Sequence, residues 1–231
     1  MFDDEFSNPL LDSLNWSTGW FGSGITGPVN GPSENDCYDP AQVVQANNEL
    51  DLNLVARTES CAGATKSYAT GFVTTDGLFS YSYGFAEARM WLPGSGSVAD
   101  WPSFWQDGQS WPADGELDVL EGLGGQACAH WHGPTGNGAG FGANGGTGCP
   151  SGTWTGGWHT FGADWEPGKV TWYYDGRNIG CIETSGSDCG PSNSTITGAA
   201  QYLVLGLALN ANAPATFPAT QRVDYVRVWQ H

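Results

Sequence analysis

Apolar and polar residues alternate with period two in several short runs. Glu49-Leu-Asp-Leu-Asn-Leu-Val55 is one, and Lys169-Val-Thr-Trp-Tyr-Tyr174, followed by Asp175-Gly176, is another. Successive side chains on a strand point to opposite faces, so each run predicts a strand with one buried face, the second closing in a tight turn. Arg222-Val-Asp-Tyr-Val-Arg-Val-Trp229 alternates in the same way. Gln201 to Asn210 is mostly apolar, the pattern of a strand covered on both faces. Turn signals separate these runs: Asp76-Gly77, Pro93-Gly94 and Pro167-Gly168. No amphipathic helix longer than two turns and no repeat of fixed period is apparent. The pattern predicts an all-β fold, a sandwich of two antiparallel sheets.

The chain has 231 residues, enough for one domain over residues 2–231 behind an added start Met1. Its 35 glycines and 13 prolines are scattered, as turns between short strands require. No run of apolar residues is long enough for a membrane-spanning helix, so no membrane partner is expected. Seven basic against 24 acidic residues give a net charge of −17. Such a surface repels a phosphate backbone, which argues against nucleic acid, and it disfavours acidic glycans too. A neutral glycan meets no such penalty. The charge is also what keeps an extracellular protein soluble. The chain is expected to act as a monomer.

Six cysteines stand at positions 37, 61, 128, 149, 181 and 189. An even count at wide spacing suits three disulfides and a secreted protein. Nearness in sequence favours Cys37–Cys61, Cys128–Cys149 and Cys181–Cys189. Asn15-Trp-Ser17 and Asn193-Ser-Thr195 are glycosylation sequons if a eukaryote makes the protein.

Chemistry concentrates in Gly115-Glu-Leu-Asp-Val-Leu-Glu-Gly122. On a strand, Glu116 and Asp118 share a face and Leu117 and Val119 take the other. Glu121 is out of phase by one residue, and a β-bulge between Asp118 and Glu121 would return it to the acidic face. Three carboxylates on one face repel each other, an inconsistency expected at functional sites. A solvated edge strand is the plainer alternative, but the interleaved apolar residues anchor the segment. Aromatic residues surround it: Trp101, Phe104, Trp105 and Trp111 before, Trp131 after. Sugar rings offer apolar CH faces that stack on indole, with Trp111 the first candidate platform. Core packing accounts for many of the 12 tryptophans.

Trp101-Pro-Ser-Phe-Trp105 and Trp111-Pro-Ala-Asp-Gly-Glu-Leu-Asp-Val-Leu-Glu121 resemble the signature of glycoside hydrolase family sixteen, in its bacterial laminarinase-like branch. Tyr83-Gly-Phe-Ala-Glu-Ala-Arg89, Trp158-His-Thr-Phe-Gly-Ala-Asp-Trp165 and Val223-Asp-Tyr-Val-Arg-Val-Trp229 agree with it. The resemblance implies a β-jelly roll with a concave glycan-binding cleft and a retaining endo-acting hydrolase of β-1,3 or mixed β-1,3/1,4-glucan. It implies Glu116 as nucleophile, Glu121 as acid/base and Asp118 as the carboxylate between them. Trp111, Trp105, Trp101, Trp131, His132 and Arg89 are the expected substrate-binding residues. No cofactor is implied for catalysis, but a structural Ca²⁺ held by Glu5 and Asp224 is; a pair of ordinary surface acids is the alternative. Two segments depart from the family pattern: Gly31-Pro-Ser-Glu-Asn-Asp-Cys37, where an Asn-rich stretch is usual, and Gln106-Asp-Gly108, where an apolar pair is usual. A galactan hydrolase, a transglycosylase and a non-catalytic β-glucan lectin remain as alternatives.

Other signals carry less. Cys128, His130, His132 and Cys149 match no standard zinc spacing. Gly140-Phe-Gly-Ala-Asn-Gly145 fits G-x-G-x-x-G but lacks the strand-turn-helix setting of a dinucleotide site, and reads as a loop near the cleft.

Overall fold

The structure, a computed structural model, describes residues 1–139, 148–192 and 194–231. Its described residues form two large, mostly antiparallel sheets, of eleven and seven strands, stacked as a β-jelly-roll sandwich. Two three-residue 3₁₀ turns, Gly31–Ser33 and Pro40–Gln42, are the only helical elements among them. The Gly140–Gly145 loop and the second sequon, at Asn193, lie outside the described residues.

The alternating runs become strands of the eleven-stranded outer sheet. Glu49–Cys61, Lys169–Tyr174 and Ala219–Trp229 bury every second side chain along most of their length. Asp175 and Gly176 both take positive φ, as a two-residue hairpin turn requires. The apolar run becomes Tyr202–Ala208, an interior strand of the seven-stranded sheet, buried on both faces at six of its seven positions. Its odd-numbered neighbours Leu203, Leu205 and Leu207 enter the core between the sheets, together with Phe104, Leu117, Trp165 and Trp172. Tyr202 and Val204 point the other way and pack with Tyr38, Phe72 and Trp105. The seven-stranded sheet therefore carries a second aromatic layer on its outer face, which lines the cleft.

Three disulfides join Cys37–Cys61, Cys128–Cys149 and Cys181–Cys189, the pairs that sequence nearness favours. Cys128 and Cys149 are thus unavailable as zinc ligands. No described helix is long and apolar enough to cross a membrane.

Candidate active site

Three adjacent strands of the cleft sheet build the site: Trp101–Asp107, Glu116–Leu123 and Gln126–Gly133. Their register places side chains in rows across the sheet. Asp107, Glu116 and His132 form one row; Trp105, Asp118 and His130 form the next; Ser103 and Glu121 share the third. Asp118 pairs with His130 and Glu121 with Cys128, so two residues on the central strand oppose one on its neighbour. On the other side Leu120 pairs with Phe104 and Asp118 with Trp105, which leaves Val119 as the extra residue. Val119 and Leu120 are both in the core, and Glu121 returns to the face of Glu116 and Asp118.

The interrupted ladder leaves main-chain carbonyls to satisfy, and the outer sheet supplies the donors. Trp172 Nε1 donates to the Asp118 carbonyl at 3.0 Å, and Tyr174 Oη lies 3.0 Å from the Val119 carbonyl and 3.0 Å from that of Cys128.

Each acid has named partners. Glu116 Oε2 accepts a short hydrogen bond from Trp111 Nε1. Glu121 Oε1 accepts from Trp101 Nε1 at 3.0 Å, and its Oε2 lies 2.9 Å from His130 Nδ1. Asp118 Oδ2 lies 3.3 Å from His132 Nε2 and 4.0 Å from His130 Nδ1. Two compact clusters result, Glu116–Asp118–His132 and Asp118–Glu121–His130, each with one polar atom per residue within 4.8 Å of the others. Asp118 belongs to both.

Burial sets the protonation of the group. It pushes the Glu116 carboxyl well above its ordinary value, and the charge of Asp118 adds to this while His132 opposes it. Asp118 is also pushed far up, by burial first and then by Glu121. Burial lifts Asp107, which accepts from Tyr202 Oη at 3.2 Å, to about 7.

The cleft is a cavity of about 330 Å³ lined by Trp20, Val29, Asn30, Glu34, Tyr38, Phe72, Trp101, Ser103, Trp105, Asp107, Trp111, the three acids, Gly206 and Ala208. Glu34 and Asp107 come from the two segments that depart from the family pattern. Burial raises Glu34, and it lifts Asp36 beside it to about 7.

Trp101, Trp105 and Trp111 line this cavity, Trp111 with 53% of its surface exposed. Three expected binding residues lie elsewhere or are engaged otherwise. Trp131 is no sugar platform: its indole is fully buried and donates to the Thr195 carbonyl at 3.1 Å. One residue from His132, it takes the opposite face of the strand. Arg89 is not in the cleft either. It sits on the exposed face of the outer sheet, 2.6 Å from Asp224 and stacked over Trp158. His132 contacts Asp118 directly.

The proposed calcium ligands do not fit a cation. Glu5 is held by Arg227 at 2.6 Å and Asp224 by Arg89, so each carboxylate already faces a positive charge. Among the described residues neither joins a group of three metal-ligating side chains.

His130 is the site residue that sequence reasoning set aside. Its spacing of two from His132 was the available signal, since both then face the acids. Trp20 and Tyr202, far away in sequence, gave no such signal.

Carboxylates clustered between apolar rings in the cleft of a β-sandwich define a carbohydrate-cleaving enzyme of the glycoside hydrolase class. The chain belongs to glycosyl hydrolases family 16, which it matches over residues 33–227. It is 26% identical to glucan endo-1,3-beta-glucosidase A1 of Niallia circulans, an alignment covering 100% of this chain and 37% of that protein. The chain spans about a third of the length of the first curated relatives it matches. The laminarinase catalytic domain of Thermotoga maritima superposes with a TM-score of 0.79 at 22% identity, covering 100% of this chain and 97% of the other. The endo-beta-1,3-glucanase of Pyrococcus furiosus gives 0.78 at 25% identity, covering 100% and 93%.

Proposed function

We propose that this chain is a secreted, retaining, endo-acting hydrolase of β-1,3-glucan that also accepts mixed β-1,3/1,4 linkages. The observation that carries the reading is the bulge at Val119, which gathers Glu116, Asp118 and Glu121 on one face at the floor of an aromatic cleft. The relatives named for endo-1,3-β-glucan cleavage support it.

Glu116 is the nucleophile. It attacks the anomeric carbon while Glu121 gives a proton to the leaving oxygen. The glycosyl ester removes the charge of Glu116, and Glu121 then takes a proton from water, which releases the sugar with retained configuration. Asp118, a member of both carboxylate–histidine clusters, couples the two glutamates electrostatically. Trp111, Trp105 and Trp101 stack on or border the sugars.

The substrate is a neutral glycan. Among the described residues no Lys or Arg lines the cavity, so it offers no cation to the sulfate groups of a sulfated galactan. Secretion accords with three disulfides, which form and persist in oxidising compartments.

Product analysis on laminarin, lichenan, agarose, carrageenan and β-galactan tests the reading. Internal cleavage of laminarin and lichenan, with the β-anomer released first by NMR, is expected. Cleavage confined to a galactan, or an initial α-anomer, refutes it.

A further inference from the structure

Glu121 meets a different partner at each oxygen. Trp101 Nε1 donates to Oε1, and His130 Nδ1 faces Oε2 at 2.9 Å. His130 belongs to the neighbouring strand, where its own ladder partner is Asp118. Without the bulge, Glu121 would point into the core and this contact would not exist. The imidazole is largely buried, with 12% of its side chain exposed. Water therefore competes little for the contact.

We propose that His130 and Glu121 share one proton across this contact, which makes His130 a positioning residue for the protonation of the acid/base. The inference rests on the reading of Glu121 as that acid/base.

The groups around the imidazole favour sharing. From the central strand, Glu121 and Asp118 face it, the latter at 4.0 Å. On its own strand, the His132 ring lies 6.3 Å away. Beyond His132 stands Glu116, its ladder partner. From the outer sheet, Tyr174 approaches this region through main-chain carbonyls. Burial and the neighbouring His132 push the His130 imidazole down, but the hydrogen bond to Glu121 and the charges of Asp118 and Glu121 outweigh them and raise it above its ordinary value.

A carboxyl and an imidazole in such contact titrate as a pair. The last proton rests on Glu121 Oε2 or on His130 Nδ1, and it leaves only when both sites release it. In the first step of cleavage the proton passes from Glu121 to the leaving oxygen. That leaves a carboxylate beside a neutral imidazole. In the second step water gives a proton back to the pair as its oxygen bonds to the anomeric carbon. The pair thus ends a turnover with the proton count it began with. A shared proton has two sites to leave, so such a pair holds it to higher pH than a lone carboxyl does.

Two measurements test this. The first is the pH profile of kcat/KM for wild type, H130N and H130Q, on whichever neutral glycan the wild type cleaves. The alkaline limb is expected to fall by roughly one pH unit or more in both variants, with activity retained at acid pH. Coincident alkaline limbs, or a folded variant inactive at every pH, overturn the proposal. The second follows the His130 imidazole by NMR through a pH titration in wild type and in E121Q. The His130 midpoint is expected to drop in E121Q, and an unchanged midpoint overturns the sharing. The titration needs no substrate. Failure of the wild type to cleave any glucan therefore refutes the functional reading alone, and an unchanged midpoint refutes the shared proton alone.

Discussion

Asp118 and Glu121 stand on one face of one strand although they are three positions apart, because Val119 is an extra residue in the ladder. A regular strand would turn Glu121 toward Phe104 and the core. The bulge brings it back within reach of His130, and so joins two carboxylate–histidine clusters through Asp118.

Replacement of Glu116 by Gln is expected to preserve folding and glycan binding while removing nearly all turnover. An amide cannot form the glycosyl ester. Steady-state kinetics on a verified preparation, with binding followed by calorimetry, check this. Activity near the wild-type level would reassign the nucleophile.

Glu121→Ala should slow cleavage of natural glycans strongly and that of activated aryl glycosides much less, since a good leaving group needs no proton. Added azide should speed release and yield a β-configured glycosyl azide. The configuration is read by NMR, and an α-azide contradicts a retaining mechanism.

Trp111→Ala and Trp131→Ala form a contrasting pair. Trp111 is half exposed at the cleft, so its loss should leave the melting temperature nearly unchanged and lower kcat/KM about tenfold to a hundredfold. Trp131 is fully buried in the core, so its truncation should cost about 3–5 kcal/mol of stability. Thermal unfolding and kinetics on both variants decide. A strongly destabilised Trp111→Ala would move that residue from the cleft to the packing.

Stability should fall as pH rises. Burial lifts Asp36 and Asp107 from an ordinary value of 3.8 to about 7. The folded state then holds protons that the unfolded state has released. Stability from these groups is full below their unfolded value, declines between about pH 4 and 7, and is gone above. The melting temperature should therefore drop across this window, and D107N should flatten the drop. A D107N curve parallel to that of the wild type would show that Asp107 does not carry it.

Most of the frame was legible in sequence because strand periodicity is a local property. Glu49–Val55 and Lys169–Tyr174 announce themselves within a few residues, and the phase slip before Glu121 announces the bulge. The disulfides followed nearness in sequence. What escaped was orientation that depends on neighbours. Trp131 looked like a cleft residue because it closely follows the acidic segment, but period two sends it to the core, opposite His130 and His132. Arg89 matched a family block, yet its strand belongs to the outer sheet, where Asp224 and Trp158 engage it. Contacts between distant segments, such as Tyr202 with Asp107, need the assembled sheet to be seen.

The outer sheet does more than cover the core. Trp172 and Tyr174 reach through the sandwich to the carbonyls of Asp118, Val119 and Cys128, where the catalytic strand leaves its regular ladder. The two layers are therefore poor candidates for modular exchange. A chimera that took its outer sheet from a relative without an equivalent indole and phenol would retain Glu116, Asp118, Glu121 and the tryptophans at 101, 105 and 111, and still lose that bracing.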